Sequence, residues 1–270
     1  MITEAGFGTY LGAEKFFNVK CRTSGLRPDA AVIVATVRAL KAHSGRFSVV
    51  PGRPLDPGLL AEDLDALDAG MPNLLKHIEN VRRHGVPAVV AVNAFPSDTP
   101  REHARIVEAA CQAGAAEVAI CDVFARGGEG GEDLARAVLR AAADGATFRQ
   151  LYDLDRPVTE KIATIATEMY GAGAVEYTPE AAAAIHRYEA LGYGRLPICM
   201  AKTHLSLSGD PALKGRPQGF TLTIRDVRLA AGAGYLVPLA GEIMLMPGLG
   251  KRPGGTRIDL LPDGTITGLL

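Results

Sequence analysis

The chain reads as an α/β protein built on a parallel sheet with crossover helices, and three observations predict this. Apolar, β-branched runs of strand length occur at residues 30–35, 86–92 and 117–123. Each is followed by a turn and then by apolar residues at helical spacing. Parallel strands need long connections, and helices supply them. After residue 150 the alternation gives way to clustered short strands. That change predicts a second, smaller α+β unit, so the division falls at residues 1–150 and 151–270.

Bulk composition narrows the function classes. With 270 residues, 47% hydrophobic, 22% charged and a formal net charge of -1, the chain can bury a large core and carries no basic excess for nucleic acid. Cys21, Cys111, Cys121 and Cys199 are scattered and form no CxxC pair, which suits free thiols in a reducing, cytoplasmic setting. No basic-then-apolar leader follows Met1, and no apolar run is long enough to span a membrane.

Taken in order, residues 2–8 enter a glycine-rich loop, and residues 11–20 carry Leu11, Phe16, Phe17 and Val19 at spacing compatible with a short helix. Such a loop is either an ordinary turn or a backbone cradle for phosphate. The run at 30–35 continues into a helical pattern with Arg38, Lys41 and His43. Basic groups beyond a strand's carboxyl end either meet an anionic ligand or form a solvated helix face. Residues 46–57 hold Pro51, Gly52, Pro54 and Pro57 and read as a surface loop.

Apolar residues at 59–67 and 74–81 then predict two helices broken at Gly70 and Pro72, with His77 and His84 as surface or capping groups. The strand at 86–92 runs into Asn93 and Phe95. Pro100 opens a helix whose inner face is Ile106, Val107, Ala110 and Cys111. The strand at 117–123 ends at Phe124, ahead of a five-residue stretch rich in glycine and a helix over 133–143. In the second unit, residues 151–154 fit a last strand, 157–170 and 181–191 fit helices, the second with Thr178 as N-cap and Pro179 at its first position, and 196–201, 220–224 and 235–239 fit strands. Asp263 and Gly264 fit a hairpin turn.

Phe95 and Phe124 thus lie at equivalent exits of neighbouring strands. They either cover loop ends as ordinary core or face each other across a gap that admits a flat heterocycle. Ring stacking of that kind is worth roughly 0.5–1.5 kcal/mol beyond area burial.

Several stretches resemble the formate–tetrahydrofolate ligase family. They are VATVRALKAHSG at 34–45, TEAGFG at 3–8, GAEKFFNVKCR at 12–22, KHIENVRRHGVPAVVAVNAFPSDT at 76–99, ARGGEGG at 125–131, LGYGRLPICMAKT at 191–203 and MPGLGKRP at 246–253. In the first, the family has two glycines where this chain has Ser44 and Gly45. The resemblance implies ATP-dependent joining of formate to tetrahydrofolate by way of formyl phosphate, giving 10-formyltetrahydrofolate. It also implies magnesium with the ATP, and a homotetramer.

Carried over by position, it makes Phe95 and Phe124 the pterin-stacking aromatics, with tryptophan common in relatives at the second. Ile120 becomes an aliphatic wall of the same pocket. Gly6, Phe7 and Gly8 become the nucleotide-side loop, with Phe7 beside the adenine. The family's P-loop lysine and the arginine that grips formyl phosphate precede the matched region, and G-x-x-x-x-G-K-[ST] occurs nowhere in this sequence. The resemblance therefore implies part of a P-loop NTPase-like domain lacking the P-loop, in the C-terminal half of a ligase. It is a truncated frame, one subunit of a split enzyme with a separate N-terminal half, or a remnant kept for folate binding or assembly.

Overall fold

The computed structural model describes residues 1–50, 52–241 and 253–268. Of the MPGLGKRP stretch, residues 246–252 lie outside the described residues. The first unit is a three-stranded parallel sheet of β1 (Ala31–Ala35), β2 (Ala88–Asn93) and β3 (Glu117–Cys121), with β2 in the middle. β2 is buried along nearly its whole length, which is why it reads as an unbroken apolar run, whereas β1 and β3 alternate as edge strands do.

Between β1 and β2 run α1 (Val37–Ala42) and α2 (Leu64–Arg83), between β2 and β3 runs α3 (Pro100–Gln112), and α4 (Val123–Arg126) and α5 (Glu132–Ala143) follow β3. Ile33, Ala35, Val90 and Val92 pack under Leu40, Leu67, Leu74, Ile78 and Ile106, while Val89 and Ala119 meet Ala137 and Ala141 of α5 on the other side. Layers of helix cover both faces of β2, as a parallel sheet requires.

The expected break at Gly70 and Pro72 is absent. α2 is one helix of 20 residues with Pro72 inside it. Leu67, Met71, Leu74, Ile78 and Val81 form one buried stripe through the proline, and this packing outweighs the lost backbone hydrogen bond. Gly70 serves close helix packing instead, since a Cβ there would stand 1.7 Å from the Leu40 carbonyl oxygen of α1. Gly70→Ala is expected to destabilise the chain by about 1–3 kcal/mol as α1 is pushed off. Urea unfolding reads this directly, and an unmoved midpoint would contradict the close approach.

The second unit has sheet order β4 (Ala174–Tyr177), β5 (Thr221–Ala230), β6 (Tyr235–Ala240), parallel then antiparallel, packed with α6 (Val158–Ile165) and α7 (Pro179–Ala190). Thr178 caps α7 as its sequence suggests, accepting from the Ala181 N–H at 3.3 Å. Tyr10 and Leu11, from the helical stretch that follows the glycine loop, join this second core with Tyr170, Ile198 and Leu236. Residues 151–154 form no strand. Tyr152 is instead buried, its hydroxyl accepting from the Ile198 N–H at 2.9 Å. Residues 196–201 touch β6 only through single bridges at Ile198 and Ala201. A two-residue ladder, Asp259–Leu260 with Ile266–Thr267, forms the expected hairpin.

Candidate functional site

The carboxyl ends of β1, β2 and β3 open on one edge, because the three strands are parallel and in register through the row Ala35, Val92, Ile120. At the first exit Thr36 caps α1, its hydroxyl accepting from the Ala39 N–H at 3.1 Å, and Arg38 follows in the first turn. At the second exit the Ala94 N–H donates to the Cys121 carbonyl at 3.0 Å. The chain then turns tightly: the Phe95 N–H donates to Asp98 Oδ2 at 2.9 Å, and Asp98 also meets His103 Nε2 at 3.3 Å. Phe95 is half-buried, and the Arg38 guanidinium carbon lies 3.6 Å from its ring centroid.

A buried ion pair fixes the spacing between these two exits. Lys41 Nζ, on α1, lies 2.5 Å from the carboxylate of Glu102, on α3, and both side chains are buried. Glu102 also takes the Thr99 N–H at 3.0 Å and the Asp63 N–H at 3.2 Å, while Lys41 donates to the Ala61 carbonyl at 2.6 Å. Burial pushes the Glu102 carboxyl up, but the hydrogen bonds from Lys41 and the two backbone amides outweigh it and hold the group below its ordinary value. Thr99 and Glu102 complete a capping box at the start of α3.

The three basic residues of the 34–45 stretch therefore go to three places. Lys41 is spent on Glu102. His43 closes α1 and accepts from the Gly215 N–H at 3.2 Å, and burial, helped by Lys214, lowers its pKa. Only Arg38 faces the strand exits, so the expectation of a basic cluster open to a ligand is corrected for Lys41 and His43: their helix faces neighbouring elements on those sides.

Phe124 departs from its expected place. β3 stops at Cys121, and Phe124 sits on α4 as a 90% exposed residue. Among the described residues its ring pairs with no other aromatic, and Phe95 pairs only with Arg38. The two rings occupy adjoining exits without touching. Ile120, 44% exposed, shares its row with Val92 and Ala35 and leaves an aliphatic surface beside the edge.

The glycine loop lies elsewhere. Phe7 is the one described non-glycine residue at positive φ (61°), a costly conformation for a bulky side chain, and its 75% exposed ring lies 4.9 Å from that of His204. Gly12 makes the fold of the loop possible, since a Cβ there would stand 1.8 Å from the Gly6 carbonyl oxygen. The Gly8 carbonyl accepts from the Leu11 and Gly12 N–H groups at 3.0 Å, and the Thr9 hydroxyl bonds His77 Nδ1 at 2.7 Å. His77 is fourteen positions along α2 from its cap Asp63, about 21 Å at the helical rise. The loop is thus tied to α2 well along the helix from the Asp63 cap that meets Glu102.

Sequence reasoning missed Glu102, Asp98, His103 and His204 as neighbours of these groups. A capping box was legible in Thr99 and Glu102, whereas nothing local marks Glu102 as the partner of Lys41. Two clefts, of about 330 Å³ (with Lys15, Phe16, Cys199 and Tyr235 in the wall) and about 320 Å³ (with Asp68, Met71 and Arg105), include neither Phe95 nor Phe124. Among the described residues no group of three or more His, Cys, Asp or Glu stands ready to hold a metal. The magnesium expected with a nucleotide therefore finds no prepared side-chain cluster among them. No described helix is long and apolar enough to cross a membrane.

A family model described as formate–tetrahydrofolate ligase matches residues 1–270. The chain is 54% identical over 278 residues to formate–tetrahydrofolate ligase 3 of Rubrobacter xylanophilus, covering 100% of this chain and 48% of that protein. It is 55% identical over 269 residues to the formate–tetrahydrofolate ligase of Saccharopolyspora erythraea and 53% over 271 to that of Chloroflexus aurantiacus, each time covering 100% of this chain and 47% of the relative. The chain spans about half the length of the curated relatives it matches.

Proposed function

Since the chain belongs to the formate–tetrahydrofolate ligase family, we propose that it supplies the folate-binding half of an ATP-dependent ligase that joins formate to tetrahydrofolate through formyl phosphate. The observation that supports this most is Phe95, held by the Asp98 turn at a parallel-strand exit with Ile120 at the next strand. One face of the Phe95 ring is taken by Arg38, so the pterin stacks on the other. Phe124, free in solvent, closes over the bound ring from α4. The loop with Gly6, Phe7 and Gly8 takes the adenine end of ATP, with Phe7 and His204 presenting aromatic surface.

The chemistry divides accordingly. Formate is a poor acyl donor until phosphorylated, and phosphoryl transfer needs cations around the phosphates. The second step needs the folate amine held against the activated carbon, which is a matter of positioning. This chain's residues serve the second step, and no P-loop sequence in it serves the first. Alone it is expected to form no 10-formyltetrahydrofolate. Product formation from ATP, formate and tetrahydrofolate without an added partner would overturn that half of the reading. The missing P-loop also favours a second reading, a folate-binding or assembly module without catalysis, which predicts no turnover even when a polypeptide carrying the other half is supplied.

Phe95→Ala is expected to weaken tetrahydrofolate binding by about 1–3 kcal/mol, by analogy with bases stacked on aromatic side chains. Isothermal titration measures it, and an unchanged affinity would remove Phe95 from the site.

A further inference from the structure

We propose that Arg38, backed by the ring of Phe95, is an oxyanion-binding group that takes a carboxylate or a phosphate at the carboxyl edge of the parallel sheet. Anion binding itself stands on Arg38's own geometry, and only the assignment of the anion to a folate ligand or its reaction partner rests on the reading above.

The first support is an unmet donor. Arg38 Nε is removed from water and has no hydrogen-bond partner, and among the described residues it is the one arginine or lysine nitrogen in that state. The buried lysines among the described residues are all satisfied: Lys41 by Glu102 and the Ala61 carbonyl, Lys76 by Glu79 and the Glu168 carbonyl, Lys161 by the Gly194 and Leu196 carbonyls, Lys202 by the Thr203 and Ser206 carbonyls. A buried donor left unpaired costs stability unless something else occupies it.

The second support is that the neighbouring carboxylates are committed elsewhere. Asp98, in the Phe95 turn, holds the Phe95 N–H and His103, and Glu102 holds Lys41. Neither forms an ion pair with Arg38, and among the described residues no other carboxylate does.

The third support is geometry. With its central carbon 3.6 Å from the Phe95 centroid, the guanidinium packs on the face of the ring, where the aromatic quadrupole favours a cation. A planar guanidinium on a ring keeps its N–H groups around its rim, and that fork matches the two oxygens of a carboxylate or phosphate. Phe95 thus holds the half-buried guanidinium by one face and leaves its Nε without a partner.

The test titrates the chain with inorganic phosphate, formate, tetrahydrofolate and tetrahydropteroate, which lacks the glutamate, by calorimetry or ligand-observed NMR. Arg38→Gln is expected to weaken the ligand that Arg38 holds by about tenfold or more, with Arg38→Lys recovering part of the loss. Wild-type binding should fall as salt is raised. A loss confined to phosphate identifies phosphoryl oxygens, one confined to formate identifies the small carboxylate, and one seen with tetrahydrofolate but not tetrahydropteroate identifies the glutamate tail. Thermal melts of both variants verify folding.

Wild-type affinity for all four ligands in Arg38→Gln, or no binding of any of them by the wild-type chain, overturns the proposal. If Phe95→Ala leaves tetrahydrofolate unaffected while Arg38→Gln loses phosphate, the folate reading falls and the anion site stands. If Phe95→Ala weakens tetrahydrofolate and Arg38→Gln changes nothing, the anion site falls alone.

Discussion

Replacing Lys41 by methionine is expected to cost about 3–5 kcal/mol of folding stability, because it strands the Glu102 carboxylate in the interior without its cation. The pair is fully enclosed, and Glu102 also receives the amides that begin α2 and α3. Losing it therefore loosens three elements at once: α1 with Arg38, the cap of α2, and the turn leading from Phe95 into α3. Urea unfolding reads the loss as a lower midpoint, and Lys41→Met combined with Glu102→Leu should recover much of it, since an apolar pair leaves no stranded charge. A single variant as stable as wild type would mean that the carboxylate finds water on its own. The pair also has an acid signature. The Glu102 pKa is depressed in the fold, so its contribution is present above the unfolded glutamate value of about 4.3 and is lost as pH falls through the folded value.

A loss at milder acidity is expected from two histidines that sequence spacing reads as surface or capping groups. His84 does cap α2, but it is fully buried against Phe17 and Phe148, and its Nδ1 meets the Arg149 carbonyl at 3.1 Å. Burial lowers its pKa from 6.5 to about 4, despite the opposing hydrogen bond, and burial does the same to His77 beside Thr9. Both groups are therefore neutral in the fold and bind a proton more readily when unfolded. Stability is complete above pH 6.5, declines as pH falls from 6.5 towards 4, and changes no further from this source below that. The shift corresponds to roughly 3 kcal/mol for His84 and less for His77, which retains some contact with solvent. His84→Gln, which still donates to the Arg149 carbonyl but does not titrate, should flatten the pH dependence of unfolding in that window. An unchanged slope would show that the buried ring is not the proton acceptor.

The two effects separate, because most of the histidine window, from pH 6.5 down, lies above the carboxylate one. A pH series on the wild type, Lys41→Met and His84→Gln chains assigns each stage to its group.

Much of the first unit was legible in the chain itself. Apolar, β-branched runs mark β1, β2 and β3, the intervening helical patterns demand a parallel arrangement, and that arrangement places Phe95 and Arg38 at exits of one edge. Local signals also gave Thr178 as a cap and Asp263 with Gly264 as a hairpin turn. The motif likeness to formate–tetrahydrofolate ligases, read from the residues alone, agrees with the family model.

What folding in space decided is which charges are spent and which rings are covered. Arg38, Lys41 and His43 are neighbours in one short stretch, yet only contacts with Phe95, Glu102 and Gly215, all distant in the chain, separate a cation on an aromatic ring from a structural ion pair and a helix end. The same holds for Pro72, whose expected break is overruled by a buried stripe on both sides, and for Phe124, which sits in a short helix just past the end of β3 with its side chain exposed. Periodicity records how a residue faces its own element. Burial and pairing depend on what another element brings to that face, and short-range spacing carries no record of it.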